Sequence, residues 1–297
     1  MSRAVWLEAA LNGPWSRDHQ PLIPVSADEI VAEAVAAADA SAAIVHFHAY
    51  DPETGRQRDD YEIYAPVIER IRAARDVICY PTLPFLGGVD EADPMGAAER
   101  FDAVDRLVKA GLIEWSVVDP GSTHIARLDD IARGREGFTY SNPEAHIRYG
   151  LALAQARGIT PSYAIYEPGF LRLGAALAAA YPGAPCPIYR FMFSDDLSFG
   201  FPPRDWALDA YLRLLEECAP GAPWMVAGLG VEIAPLIAMT VARGGHVRTG
   251  LEDARFGCAM GNGALVAEAR AAIERAGGRP ATVAEVRAGL SASGTGR

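Results

Sequence analysis

Short apolar runs alternate along this chain with longer stretches in which apolar positions recur every three or four residues. The runs at 5–11, 43–49, 77–83, 115–119, 162–166, 188–193, 224–229 and 246–250 have strand length. The stretches 30–40, 64–74, 97–110, 147–156, 171–180, 206–218, 233–242 and 264–276 carry the helical period. Strand followed by helix, repeated, is the pattern of a parallel sheet, and eight repeats is the strand count of a barrel. The chain therefore predicts an α/β fold, a single-domain (β/α)8 TIM barrel over residues 1–297, with a short C-terminal helical extension near 286–290.

Local signals sharpen the boundaries. Ser26-Ala27-Asp28-Glu29 is a capping box, in which the serine hydroxyl and the glutamate carboxylate satisfy backbone N–H groups at a helix start. Thr282-Val283-Ala284-Glu285 offers the same device before the last helix. Asn142-Pro143-Glu144 predicts an asparagine cap followed by proline in the first turn, and Gly158 predicts the stop of that helix. The Gly/Pro-rich segment 198–203 follows a predicted strand and reads as a long strand-to-helix loop.

Candidate chemistry enters at Ile44-Val45-His46-Phe47-His48. Side chains two apart on a strand share a face, so His46 and His48 project together and can chelate a divalent ion such as Zn2+, given a third ligand. Near the other end of the chain, Gly244-Gly245-His246-Val247-Arg248-Thr249-Gly250-Leu251-Glu252-Asp253 closes the eighth predicted strand with ionisable groups, offering Glu252 as that ligand and Asp253 as a base. Strands two and eight both flank strand one in a closed barrel. All four groups then meet at the C-terminal mouth, where barrel enzymes place their chemistry.

Composition narrows the partners. The chain carries a net charge of -11 and has no dense Lys/Arg run, so a phosphate-neutralising surface for nucleic acid is not expected. No apolar run of about 20 residues exists to span a membrane. The N-terminus meets a carboxylate at Glu8 too early for a signal peptide. Four scattered cysteines without a C-x-x-C pair point to a reducing cytoplasm.

The ordered set of motifs resembles the β-keto acid cleavage enzyme family, whose named member is 3-keto-5-aminohexanoate cleavage enzyme. The resemblance spans nearly the whole chain. It rests on Ala9-Ala10-Leu11-Asn12-Gly13, on Pro24-Val25-Ser26-Ala27-Asp28-Glu29-Ile30, and on His46-Phe47-His48-Ala49-Tyr50-Asp51-Pro52-Glu53-Thr54-Gly55. It continues through Tyr166-Glu167-Pro168-Gly169, Trp224-Met225-Val226-Ala227-Gly228-Leu229-Gly230 and the 244–253 run. The resemblance implies zinc on His46, His48 and Glu252, and an Arg248–Asp253 dyad as general base. It also implies a reaction in which a β-keto acid and acetyl-CoA give acetoacetate and a shortened acyl-CoA, and a homo-oligomer, a tetramer by analogy. Read without it, Arg248 is also consistent with a strand-end clamp and Asp253 with a helix cap.

Departures from the family bear on the substrate. A family glutamate after the first-strand glycine is missing, since Pro14-Trp15-Ser16-Arg17 follows Gly13, and a second one falls on Ala164. A cationic tail is therefore disfavoured, and Arg17 with Trp15 points to a neutral or anionic β-keto acid. Asn12 and Ser116 are further substrate-binding candidates, with Asp119 and Ser122 as alternatives to Ser116. The family's strand-three hydroxyl falls on Thr82. The segment 194–201 replaces a Gly-Gly loop of the family, so a hydrolase or aldolase without CoA, or a non-catalytic binding barrel, stands as the alternative.

Overall fold

The computed structural model describes residues 2–51, 54–86 and 95–293, with side chains as far as residue 290. Pro52 and Glu53 of the histidine motif lie outside the described residues. Eight strands make one parallel sheet: β1 (Leu7–Ala10), β2 (Ile44–Phe47), β3 (Ile78–Pro81), β4 (Trp115–Val117), β5 (Thr160–Ile165), β6 (Ile188–Phe193), β7 (Trp224–Gly228) and β8 (His246–Thr249). Their order is β3-β2-β1-β8-β7-β6-β5-β4, and β3 and β4 at the two ends approach each other, so the sheet is a nearly closed TIM barrel. Ala10 registers with His46, and Arg248 with Glu8, which puts β1 between the two strands that carry the ionisable motifs.

The strands are buried on both faces. Outward-facing Val45 and Phe47 pack in the apolar layer beneath the helices, with Ile30, Ala34 and Ala37 of helix Ala27–Asp39 in the same core. The inward face is polar at several positions: Glu8, His46, Tyr80, Arg190 and Arg248 are all buried. Both capping boxes form, Ser26 with Glu29 and Thr282 with Glu285, and the last helix runs Val283–Ser293, longer than its periodic core. Gly158 closes helix Glu144–Arg157 in the left-handed region that favours glycine.

Several local expectations change. The first predicted strand breaks at Trp6, whose backbone N–H donates to His246 Nδ1 at 3.0 Å while its indole stacks on the imidazole at 4.0 Å. The piece before the break, Arg3–Val5, pairs with Gly278–Pro280 outside the barrel. The 97–110 stretch divides into helices Ala97–Arg100 and Asp102–Lys109, because Arg100 turns inward to Pro84 O and Asn142 Oδ1. Asn142 consequently does not cap: its amide donates to Gly121 O, and Pro143 occupies the cap position. Between β4 and helix Glu144–Arg157, Thr123–Ile125 pairs antiparallel with Phe138–Tyr140. The loop after β6 docks on this ribbon, since Ser198 N–H donates to Ala126 O and Leu197 bridges to Arg127.

Candidate metal and substrate site

The histidine pair stands where β2 ends. His46 Nε2 and His48 Nε2 lie 3.6 and 3.7 Å from Glu252 Oε2, and the ligand atoms of all three residues fall within 4.8 Å of one another. Tetrahedral ligands about 2.0–2.1 Å from zinc are separated by roughly 3.4 Å, so this triangle has the right size for a divalent ion. Glu252 Oε2 is buried and has no hydrogen-bond partner among the described residues, although it faces two imidazole nitrogens. A lone oxygen among lone-pair donors is what a cation would satisfy. The residues present thus fit a metal.

Neighbouring groups orient the ligands. His48 Nδ1 bonds Gln57 Oε1 at 2.9 Å, and Gln57 Nε2 donates in turn to Asp59 Oδ2 at 2.7 Å. Since the amide nitrogen faces the carboxylate, its oxygen must accept from His48, which leaves the Nε2 lone pair directed at Glu252. Asn12 accepts the His48 backbone N–H and donates to His48 O and Pro24 O. Gly13 lies in the left-handed region at φ 61°, and a Cβ there would come within 2.6 Å of Glu252 Cγ, so this position requires glycine. The Trp15 indole donates to Glu252 O at 2.8 Å.

Arg248 and Glu8 form the floor. Arg248 grips Asp253 through Nε and Nη2 at 2.7–3.1 Å, reaches Glu252 Oε1 from Nη2 at 2.6 Å, and reaches Glu8 Oε1 from Nη1 at 3.4 Å. Glu8 Oε1 also accepts from Tyr80 Oη and Arg190 Nη1. Burial alone would raise the Glu252 carboxyl, but Arg248 and the two histidines hold it well below the usual range. Burial is also the largest influence on Asp253 and pushes it up to about 6 against the pull of Arg248. Burial keeps His46 neutral, whereas Glu252 and Asp59 raise His48 despite its burial.

A cavity of about 460 Å3 opens above this floor. Of the sequence candidates it collects His46, His48, Thr82, Trp15, Arg248 and Glu252, and, of the alternatives to Ser116, Asp119. Asp253 stands behind Arg248 and faces a separate cleft beside helices Ala234–Arg243 and Asn262–Arg275. Asn12 and Ser116 spend their polar atoms on backbone groups, and Ser122 accepts from Asn142 N–H. Arg17 is turned out of the barrel: it pairs with Glu29 at 2.7 Å, half-exposed, where it braces the first capping box. It adds no charge to the cavity.

Sequence reading missed other lining residues. Arg190, Tyr140, Phe138, Phe85, Phe256 and Arg127 all line the space, as does Tyr166. Only Glu8 and Arg190 left a trace, as charges set inside apolar strand runs.

Fold and site together define an enzyme: a TIM barrel whose mouth holds a buried His-His-Glu group that could bind a metal. The sequence profile of the beta-keto acid cleavage enzyme family matches residues 4–291, and the chain belongs to that family of enzymes, which cleave carbon–carbon bonds in β-keto acids. It is 27% identical to 3-keto-5-aminohexanoate cleavage enzyme of Fusobacterium nucleatum over 85% of this chain and 83% of that one. It is 26% identical to 3-dehydrocarnitine:acetyl-CoA trimethylamine transferase of Rhizobium meliloti, over 97% and 96%. It is 27% identical to 3-oxoadipate:acetyl-CoA acetyltransferase of Cupriavidus necator, over 97% and 95%. Among solved structures, apo ObcA superposes with a TM-score of 0.71 at 14% identity, over 91% of this chain and 66% of ObcA, a likeness of fold.

Proposed function

We propose that the protein is a zinc-dependent β-keto acid cleavage enzyme that condenses a β-keto acid with acetyl-CoA, yielding acetoacetate and the CoA ester of the shortened acid. The observation that carries this reading is the convergence of His46 Nε2, His48 Nε2 and Glu252 Oε2 beside Arg248 at the barrel mouth. Two imidazoles and one carboxylate suit zinc and leave a coordination position for substrate. When bound, the ion would polarise the keto oxygen as a Lewis acid.

The chain's own residues account for the rest. Arg190 and Arg248 set two guanidinium groups against the cavity, a complement to the substrate carboxylate. Arg248 and Asp253 act as the base dyad, with Asp253 as the carboxylate base and Arg248, a permanent cation between it and the cavity, holding and orienting it. Thr82 offers a hydroxyl donor to oxygen as charge develops there. That two of the named relatives carry acetyl-CoA in their names supports it as co-substrate. The reading includes a homo-oligomer, a tetramer by family analogy, and a cytoplasmic location, which four free cysteines support.

Two measurements test it. Metal analysis of untagged protein should find about one zinc per chain, lost in His46→Ala; equal metal in both would remove the ligand assignment. β-Keto acids assayed with and without acetyl-CoA should give a CoA ester only in its presence. Carboxylate release without CoA would instead establish a hydrolase.

A further inference from the structure

The far wall of the cavity has a composition that the reaction chemistry does not explain. In the strand order, β5 lies opposite β1, so residues at the ends of β4 and β5 face the metal-capable group across the mouth. There Asp119 is buried yet lines the cavity, with Oδ2 accepting from Tyr140 Oη at 2.6 Å and Oδ1 from Ala164 N–H at 2.7 Å. Around it stand aromatic rings. Tyr140 packs edge-on to Tyr166 at 5.4 Å and stacks with Phe85 at 6.0 Å, while Phe138 meets Phe85 at 5.4 Å. Ile125, Met192 and Leu229 add apolar surface on this side, and of the charged residues at its rim Arg127 pairs with Asp130 at 3.9 Å while Glu136 adds a further carboxylate.

We infer that this wall is a subsite for a cationic substrate tail, and for a quaternary ammonium in particular. Ring faces are negative, and a desolvated cation over tyrosine gains from that quadrupole. The hydrogen bond from Tyr140 Oη to a carboxylate makes its ring more electron-rich, and the Asp119 carboxylate adds a full charge behind the rings. Two other arginines line the cavity besides Arg248: Arg190, which Glu8 and Tyr80 engage at the floor, and Arg127, which Asp130 partners. An anionic tail would face a carboxylate and aromatic faces.

Choice within the cations follows from donor counting. A primary ammonium brings three N–H groups that need acceptors, whereas Asp119, with one lone pair on each oxygen already taken by Tyr140 and Ala164, has about two acceptor sites left. A trimethylammonium has no N–H and needs only charge and surface. Asp119, just after β4, thereby supplies the negative charge that Ala164, its hydrogen-bond partner on β5, does not. The expectation of an anionic tail depended on Arg17 entering the cavity, and Arg17 lies outside.

This subsite rests on the reading of the cavity as a β-keto acid site, so binding and turnover are tested separately. Calorimetry on the zinc-loaded full chain would compare unreactive β-hydroxy acids with trimethylammonium, tert-butyl, primary-ammonium and carboxylate tails. The trimethylammonium ligand should bind about tenfold or more tighter than its tert-butyl isostere. Asp119→Asn should abolish most of that ratio, and Tyr166→Leu, which leaves the carboxylate in place, should reduce it. Equal binding of the isostere, tightest binding of the carboxylate tail, or an unchanged ratio in both variants overturns the subsite. In the turnover arm the corresponding β-keto acids are supplied with acetyl-CoA. Turnover that favours neutral or anionic tails overturns the subsite and keeps the acyl-transfer reading. A persisting trimethylammonium preference in binding, with no turnover of any tail, supports the subsite and overturns that reading.

Discussion

Glu8 Oε1 takes a donor from each of Tyr80, Arg190 and Arg248, which is how two buried guanidinium groups coexist at the base of the site. Buried ion pairs add little net stability over an apolar core, but deleting one partner strands the other without water. Glu8→Gln should therefore lower unfolding stability by about 3 kcal/mol or more in denaturant titration, and a change under about 1 kcal/mol would show the floor to be hydrated. Gln57 acts on the metal at one remove. Gln57→Ala frees the His48 ring from its tautomer-fixing bond and should weaken zinc affinity about 10- to 100-fold with little loss of fold. A competition assay with a chelator reads this directly. His46, His48 and Glu252 were legible in sequence because strand period and barrel order suffice to bring them together. The outward turn of Arg17 was not, nor which of Ser116, Asp119 and Ser122 faces the cavity, since the aim of a loop side chain depends on contacts made by distant segments.

At the scale of elements, the junction of β8 with the N-terminal strand pair turns on His246. Its Nδ1 accepts the Trp6 N–H, and burial, with Arg3 nearby, depresses its pKa from 6.5 to about 3. Between those values the unfolded chain binds a proton that the folded chain refuses, so stability is retained above about pH 6.5 and lost as pH falls toward 3. His246→Asn, which can still accept the N–H, should flatten this loss between pH 6.5 and 4.5 by up to about 1.4 kcal/mol per pH unit. Parallel stability curves for wild type and variant would contradict it. The turn after β1 has a stricter demand: Gly13→Ala combines a positive φ with a clash on Glu252, and it should cost metal occupancy before it costs secondary structure. Metal content and circular dichroism on the same sample separate the two effects.

For the whole molecule, the residues that could hold a metal come from the end of β2 and from the turn after β8, strands that only β1 separates, so an ion bound there would tie the barrel across one of its seams. Metal that binds the native state alone stabilises it by about 2.7 kcal/mol at a hundredfold excess over Kd. Chelation should accordingly lower Tm by several degrees, reversibly on adding zinc, and an unchanged Tm would indicate a site that binds no ion. The sequence by itself determined the barrel, its strand count, the helix starts set by capping boxes, and the ligand triad. Periodicity is a local property, and the parallel βα order converts it into position around a ring. Tertiary structure alone decided which polar residues face the cavity. Arg17 is claimed by Glu29, Asn12 by the His48 backbone, and Arg100 by Asn142, while Tyr140 and Phe138 are brought over the mouth by an unforeseen β-ribbon. A loop side chain settles where its hydrogen bonds and charge are satisfied, and those partners lie far away in sequence.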